Sequence, residues 1–195
     1  TKNRRDALEN MLKSVFIQTQ LPDEIIIIDQ SEQRDTEKML NNLKNNTNCF
    51  DHTDLIYEYD QSITGSAQAR NRALRKSKGN IVLFLDDDVV LESDYIEQIL
   101  KTYKQYPNYK GVGGVVTNMT FLKTGKIALF NKIFHRGIFK DKRHKMYLDY
   151  KNKNHPQISN KIAGCCASYK RGILDFEPFD ESLDKLCHGY AFGED

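Results

Sequence analysis

Three consecutive carboxylates, Asp86, Asp87 and Asp88, follow directly after the apolar run at residues 81–85. A run of this length, rich in branched and aromatic residues, is typical of a parallel strand that is buried on both faces. We therefore expect the three acids, called the acidic triplet below, at the carboxyl end of that strand, where open α/β sheets bind ligands. Adjacent acids repel one another unless a cation or hydrogen-bond donors compensate them. A divalent metal that carries a phosphorylated ligand would do so, and the alternative is a solvated turn before the next helix.

The elements that must position these acids alternate between helix and strand. Apolar residues at helical spacing predict helices over residues 6–18, 35–45, 66–78 and 95–103. Apolar runs predict strands over residues 24–29, 55–59, 81–85, 111–118 and 164–169. Ser66 is the expected N-cap of the third helix, and Ser93 or Asp94 that of the fourth. The alternation predicts an α/β fold with a doubly wound, mostly parallel sheet and helices on both faces.

Composition narrows the class of protein. A chain of 195 residues suits one domain, and a net charge of +2 from 29 basic and 27 acidic residues gives no case for a nucleic-acid partner. The four cysteines, Cys49, Cys165, Cys166 and Cys187, lack CxxC spacing, so we expect reduced thiols in a cytoplasmic protein. The sequence opens at Thr1 and stops after a glycine-rich and aromatic segment, which favours a fragment.

Basic charge is concentrated in residues 121–155, called the basic segment below. It holds ten lysines and arginines against two aspartates, with phenylalanines and tyrosines between them. Interfacial segments combine basic and aromatic faces in this way, so the basic segment could lie against anionic lipid as a peripheral membrane contact, or cover a phosphate-bearing acceptor. A solvated insertion is an equally good interpretation. The sequence leaves the oligomeric state open.

Several short segments, taken in their order and spacing, resemble the family 2 glycosyltransferases. They are residues 1–4, 24–31, 65–71, the acidic triplet, 179–181 and 194–195. The resemblance implies a GT-A fold in which these segments line one cleft, here lacking the first strand and the C-terminal part. It implies one domain over 1–195, with a nucleotide-sugar-binding half at 1–118 and an acceptor-side half at 119–195 that contains the basic segment.

The resemblance also implies an activity. Family members transfer a sugar from a nucleoside-diphosphate donor to an acceptor hydroxyl, with inversion and with Mg²⁺ or Mn²⁺ as cofactor. Here the donor would be a UDP- or dTDP-sugar and the acceptor a glycan or a lipid-linked sugar, at the inner face of the membrane. Asp88 and Asp86 would hold the metal, which acts as a Lewis acid on the leaving diphosphate. Asp86 also matches the ribose contact, and Asp87 the ribose or donor-sugar contact.

Further donor-site residues follow from the same resemblance: Thr1, Asn3, Asp29, Gln30, Arg70 and Asn71. Arg70 offers a planar fork of donors to phosphate, and its alternative role is an exposed helix charge. Many family members carry an acid at the position of Gln30, and that acid reads the base of the nucleotide. A glutamine both donates and accepts, so uridine and deoxythymidine both remain open. Asp29 could instead cap the turn or hold the base-binding loop.

The acceptor side is implied at the end of the chain. Asp195 aligns with the acid that deprotonates the acceptor hydroxyl, with Glu194 as its companion, and an inverting displacement needs such a base. Asp180, Glu181, Gly189 and Tyr190 are expected near the acceptor.

Two other classes of protein compete with this interpretation. The triplet with Val89 and Val90 also fits the DxDx[TV] motif of haloacid dehalogenase-type phosphohydrolases, where Asp86 would be the nucleophile and Asp88 the acid or base. That motif normally follows the first strand of its fold, and the sequence shows no GDxxxD-like acid pair downstream that would complete a magnesium site. The third class is a binding module that keeps the nucleotide-sugar site without turnover.

Overall fold

The computed structural model describes residues 1–46, 50–117, 153, 155–159, 162–176, 178–182 and 184. Contacts divide the chain into two compact units, Thr1–Gly113 with Ile162–Asp195, and Gly114–Lys161. Every helix and strand of the described residues belongs to the first unit. None of the helices in this described part combines the length and the apolar character that crossing a bilayer requires.

Helices and strands alternate from the start of the chain, as the sequence predicts. In chain order they are α1 (Arg5–Phe16), β1 (Glu24–Asp29), α2 (Asp35–Asn46), β2 (Asp54–Tyr59), α3 (Ser66–Lys76), β3 (Ile81–Leu85), α4 (Tyr95–Gln105), β4 (Gly111–Gly113), β5 (Cys166–Lys170) and α5 (Arg171–Leu174). The α/β class is thereby confirmed, with β4 ending at Gly113 rather than at residue 118.

The strands pair in both directions. β1 and β2 are parallel, in register from Glu24 opposite Asp54 to Asp29 opposite Tyr59. β5 lies between β3 and β4 and is antiparallel to both, so that Ser168 faces both Leu83 and Val112. β5 comes from beyond the basic segment and pairs with two strands that precede it. The sheet edge beside the acidic triplet is built from both parts of the chain.

Two apolar clusters hold the elements together. The first packs α1 and α2 against β1, with buried side chains Leu8, Met11, Leu12, Val15, Ile27, Met39, Leu40 and Leu91. The members from α1 recur at three- and four-residue spacing, the stripe of an amphipathic helix. The second cluster joins α3, β3 and α5 through Leu74, Phe84 and Leu174. Phe84 also meets Phe179 edge to face, with ring centroids 5.0 Å apart, which fixes the segment that follows α5.

The helix caps differ from those that local sequence favours. Ser66 is the first residue of α3 rather than its cap, because Gly65 occupies the N-cap position. Asp94 occupies the N-cap position of α4 but makes no side-chain capping bond there, and its carboxylate accepts from the side chain of Gln98 instead. The first turn of α3 is capped by a distant side chain, Asp184, whose contacts are given below.

Candidate active site

The acidic triplet follows β3 as predicted, and its three side chains differ in exposure. The Asp86 nitrogen donates to the Cys165 carbonyl at 3.0 Å, which continues the pairing of β3 with the chain before β5. The Asp87 side chain is 11% exposed, whereas those of Asp86 and Asp88 are 46% and 52% exposed. Asp86 and Asp88 therefore remain open to a ligand, and Asp87 is enclosed by its neighbours.

Two arginines compensate the charge of the triplet. Arg4 spans two acids, with Nη1 at 2.8 Å from Asp87 Oδ1 and Nη2 at 2.8 Å from Asp88 Oδ2. Arg70 reaches Asp86, with Nη2 at 3.4 Å from Oδ1. Its guanidinium lies 5.3 Å from the centroid of the Phe179 ring and its side chain is only 16% exposed. Arg70 therefore lies against Asp86 and Phe179 and is not an exposed helix charge.

Arg4 is the residue that sequence reasoning missed. Arg4 belongs to the segment at residues 1–4 that carries the family resemblance, but the resemblance gave it no role of its own. The one available indication was its position directly after Thr1 and Asn3, which were themselves expected at the donor site. In the structure, the hydrogen bond with Asp88 and the charge of Asp87 raise the pKa of Arg4. Burial raises the pKa of Asp86, and the nearby Arg70 partly offsets that shift.

Thr1 joins the triplet to the carboxyl end of β1. Its hydroxyl donates to Asp87 Oδ2 at 2.6 Å. Its nitrogen donates to the Ile28 carbonyl at 2.8 Å, and the Gln30 nitrogen donates back to the Thr1 carbonyl at 2.9 Å. This is the hydrogen-bond pattern of a parallel pair. The ends of β1 and β3 are thereby held side by side.

The turn after β1 is held by a buried carboxylate. Asp29 is fully buried, and it accepts from the Ser31 nitrogen and from the Tyr57 hydroxyl, both at 2.9 Å. Burial, reinforced by the hydrogen bond to Asp29, raises the pKa of Tyr57 well above its usual value. These contacts match the alternative role of Asp29, in which it holds the loop rather than touching a donor.

Asn3 clamps the same turn from the other side. Its backbone has a φ of 54°, in the left-handed region that asparagine tolerates better than most residues. Its nitrogen donates to Ser31 Oγ at 2.8 Å, and its side-chain oxygen accepts from the Glu32 nitrogen at 2.9 Å. The Gln30 side chain leaves this turn and donates to the Gly65 carbonyl at 3.2 Å. The turn is thus tied to the chain that opens α3.

Asn71, which the resemblance implies at the donor site, is bonded to the segment at residues 178–182. It is 4% exposed, and its amide nitrogen donates to the Phe179 carbonyl at 2.8 Å and to Glu181 Oε1 at 2.9 Å. Its amide oxygen accepts from the Phe179 nitrogen at 3.0 Å. Asn71 thereby fixes residues 178–182 against α3.

Asp180 and Glu181 lie on this segment. Asp180 is exposed and accepts from the Ser182 nitrogen at 2.9 Å, and its hydrogen bonds with Ser182 lower its pKa. The other expected acceptor-side residues, Gly189 and Tyr190, lie outside the described residues. So do the expected catalytic pair Glu194 and Asp195, and most of the basic segment.

The described residues fit a divalent cation only together with its ligand. Among them, no group of three or more His, Cys, Asp and Glu side chains is arranged to hold a metal. Asp86 and Asp88 supply two hard carboxylate donors, and both are partly exposed. Mg²⁺ commonly binds through one or two carboxylates, with phosphate oxygens and waters completing the shell. Such a cation would have to compete with Arg4 for Asp88.

Cys165 and Cys166 lie near the site, and neither forms a disulfide among the described residues. Cys49 and Cys187 lie outside the described residues. The contact with the Cys166 sulfur, followed by burial, raises the pKa of the Cys165 thiol. A protonated, half-buried thiol is a poor nucleophile, so Cys165 contributes packing and its carbonyl to the site.

Comparison with solved structures defines the class of fold as that of the GT-A glycosyltransferases. The mannosyltransferase PcManGT from Pyrobaculum calidifontis, in complex with GDP-Man and Mn²⁺, matches with a TM-score of 0.65 and 19% identity, over 92% of this chain and 45% of that one. S. aureus TarS 1-349 in complex with UDP matches with a TM-score of 0.54 and 16% identity, over 97% and 51%.

The chain belongs to glycosyl transferase family 2, whose sequence model matches residues 1–176. The glucosyl-dolichyl phosphate glucuronosyltransferase of Haloferax volcanii is 25% identical over 113 residues, 58% of this chain and 34% of that protein. The GalNAc(5)-diNAcBac-PP-undecaprenol beta-1,3-glucosyltransferase of Campylobacter jejuni is 29% identical over 141 residues, 72% and 42%. The chain therefore spans less than half the length of these relatives.

Proposed function

We propose that this protein transfers a hexosyl group from a nucleoside-diphosphate donor to an acceptor hydroxyl, with inversion and with a divalent metal. One observation carries the proposal: Thr1, Gln30, Arg70 and the acidic triplet, which are distant in sequence, converge where β1 and β3 end. Fold and family support the same class of reaction. They do not favour a phosphohydrolase in which Asp86 is the nucleophile.

The chemistry of the site residues suggests a separate role for each of them in binding the donor. Asp88 and Asp86 would hold Mg²⁺ or Mn²⁺, which as a Lewis acid stabilises the charge that develops on the leaving diphosphate. Arg70 would turn its guanidinium from Asp86 toward phosphate oxygens, a planar match for such an anion. Gln30 would present its amide to the base, on the turn that Asp29 and Asn3 hold rigid. Asp87 would hold Thr1 and Arg4 in place beside the donor.

The donor nucleotide is the first point to test. One structural neighbour holds GDP-Man with Mn²⁺ and another holds UDP, and we propose a pyrimidine donor, UDP- or dTDP-sugar, for this chain. A thermal-shift screen of UDP-, dTDP- and GDP-sugars with Mn²⁺ should show one class that raises the Tm. A ligand at 100 times its Kd adds about 2.7 kcal/mol to the free energy of unfolding.

The controls separate the rival activities. The stabilisation should disappear with a chelator, and release of nucleoside diphosphate in the presence of a sugar acceptor would distinguish a transferase from a binding module. Hydrolysis of p-nitrophenyl phosphate that is lost in Asp86→Asn would favour the phosphohydrolase instead. If no nucleotide sugar shifts the Tm with or without Mn²⁺, the donor assignment is wrong.

We propose a glycan or lipid-linked acceptor and a cytoplasmic protein that works at the inner face of a membrane. One relative is named for an undecaprenol-linked glycan, which supports an acceptor of that chemistry. The basic segment would then lie against anionic lipid. The protein should float with anionic liposomes and not with neutral ones. Equal flotation with both kinds of liposome would contradict the membrane role.

Arg4→Met is expected to increase the affinity of the acidic triplet for Mn²⁺ in the absence of nucleotide. The guanidinium pairs with Asp87 and Asp88 at 2.8 Å each, and a metal that binds Asp88 must displace it. Exposed ion pairs contribute roughly 0.2–1 kcal/mol, so the Kd for Mn²⁺ should fall by a factor of about 1.4 to 5. Electron paramagnetic resonance of free Mn²⁺ measures this directly.

Arg5→Met is a matched control for Arg4→Met. The Arg5 side chain is 48% exposed against 49% for Arg4, and it pairs with Asp6 instead of with the triplet. Arg5→Met should leave the Mn²⁺ affinity unchanged. If the two variants bind Mn²⁺ equally, Arg4 does not compete with the metal.

A further inference from the structure

The first turn of α3 is capped by a carboxylate from the far end of the described chain. Asp184 is 5% exposed, and its two oxygens accept from the Ala67 nitrogen at 3.3 Å and from the Gln68 nitrogen at 2.9 Å. The donors and the acceptor are 117 and 116 residues apart in sequence. A carboxylate at this end of a helix also meets the positive end of the helix dipole.

Gly65 makes room for this cap. A Cβ atom at Gly65 would lie 1.9 Å from Asp184 Cγ, far inside van der Waals contact. The Gly65 backbone has φ −144° and ψ 170°, an extended conformation that any residue adopts. The glycine is therefore required by the approach of Asp184 and not by the backbone dihedral angles.

The capped helix and the glycine before it contact Gln30, Asp86 and the segment at residues 178–182. The Gly65 carbonyl accepts from the Gln30 side chain at 3.2 Å. Further along α3, Arg70 reaches Asp86 at 3.4 Å. On the same helix, Asn71 holds residues 178–182, the segment that leads to Asp184. The helix is thus fixed from the acceptor-side segment and faces the donor-side residues.

We propose that Asp184 is a positioning residue that couples the acceptor-side segment to the donor site. Its carboxylate sets the first turn of α3, which places the Gly65 carbonyl against Gln30 and the Arg70 guanidinium against Asp86. Movement of residues 178–184 would then change the donor site without touching a donor. The part of this inference that concerns donor affinity rests on the proposed function, whereas the part that concerns geometry does not.

The geometric part is tested by NMR without any ligand. Asp184→Ala and Gly65→Ala should shift the Gln30 side-chain amide and the backbone amides of residues 86–88, in the same direction in both variants. Asp184→Asn should restore part of the native shifts, because its single amide oxygen can still accept from one of the two α3 nitrogens. Adding Gly65→Ala to Asp184→Ala should cause little further change, because the atoms that clash are already gone.

Asp94→Ala is the control, since it removes an aspartate from the start of α4 that makes no capping bond to that helix. It should leave the Gln30 amide and the amides of residues 86–88 at their native positions. If Asp184→Ala changes only the amides of the first turn of α3, Asp184 is an ordinary cap and the proposal is overturned. Asp184→Asn keeps the test informative if the alanine variant does not fold.

The donor part is tested by binding of UDP and of GDP with Mn²⁺, and by the steady-state constants for whichever sugar nucleotide is used. Asp184→Ala should raise the Kd and the donor KM about tenfold, which corresponds to about 1.4 kcal/mol, with kcat changed much less. A loss confined to kcat overturns the coupling to donor binding. If neither nucleotide binds the unaltered protein, the proposed donor site fails, while the NMR result still decides the positioning role.

Discussion

Replacing Asp88 by alanine is expected to abolish metal-dependent nucleotide binding and to leave the fold intact. The Asp88 side chain is 52% exposed and pairs with Arg4 at 2.8 Å, so its removal should cost at most about 1 kcal/mol of unfolding free energy. The loss of a carboxylate ligand to the cation is a far larger effect, and we expect the Kd for UDP or GDP with Mn²⁺ to rise about 100-fold, or about 2.7 kcal/mol. Calorimetric titration measures the Kd for nucleotide with Mn²⁺ and without it.

Asp35→Ala is the matched control for Asp88→Ala. Asp35 is also 52% exposed and also pairs with a basic side chain, Lys38 at 3.0 Å, but it lies on α2 away from the triplet. The Asp35→Ala variant should bind nucleotide and Mn²⁺ with the same affinity as the unaltered protein. Undiminished Mn²⁺-dependent binding by Asp88→Ala would remove Asp88 from the metal site. A loss shared by both variants would indicate a general effect of surface charge.

Asp195→Asn is expected to abolish sugar transfer while nucleotide binding remains. Asp195 lies outside the described residues, and its proposed role as the base rests on the family resemblance. A general base contributes about 10² to 10⁴ in rate, and an amide cannot accept the acceptor proton. The transfer rate in a complete enzyme should fall by that factor, whereas the Kd for donor nucleotide with Mn²⁺ should stay within about twofold.

Asp175→Asn provides the same chemical change at an exposed position with an ion pair to Arg171 at 3.8 Å. Its transfer rate and donor affinity should both be unchanged. Intact transfer by Asp195→Asn contradicts the base assignment. Loss of both transfer and donor binding would mean that the end of the chain contributes to the donor pocket rather than to proton removal.

The two expected losses differ in kind, which makes the pair more informative than either alone. Asp88→Ala acts on the leaving-group side and should show in equilibrium binding. Asp195→Asn acts on the acceptor side and should show only in turnover. If both variants behave as expected, Asp88 acts on the leaving-group face of the sugar and Asp195 on the acceptor face, as an inverting transferase requires.

Much of this protein follows from local sequence. The apolar run at residues 81–85 predicts a strand and places the acidic triplet at its carboxyl end. The expected parallel strand buried on both faces is not what the described residues show, because β3 pairs antiparallel with β5 and only Phe84 in it is buried. The helical spacing of Leu8, Met11, Leu12 and Val15 predicts α1, because an amphipathic helix buries one stripe of apolar side chains. The order of these segments was enough to indicate the family and its GT-A fold, both of which are confirmed.

The tertiary structure alone decided which polar groups meet. An apolar run encodes a strand but not its direction, so the antiparallel placement of β5 between β3 and β4 could not be predicted. The pairing of Arg4 with the triplet, the burial of Asn71 against Phe179 and the capping of α3 by Asp184 all join residues far apart in the chain. A buried donor or acceptor must find a partner, but which partner it finds depends on how the elements pack, and that information is not local.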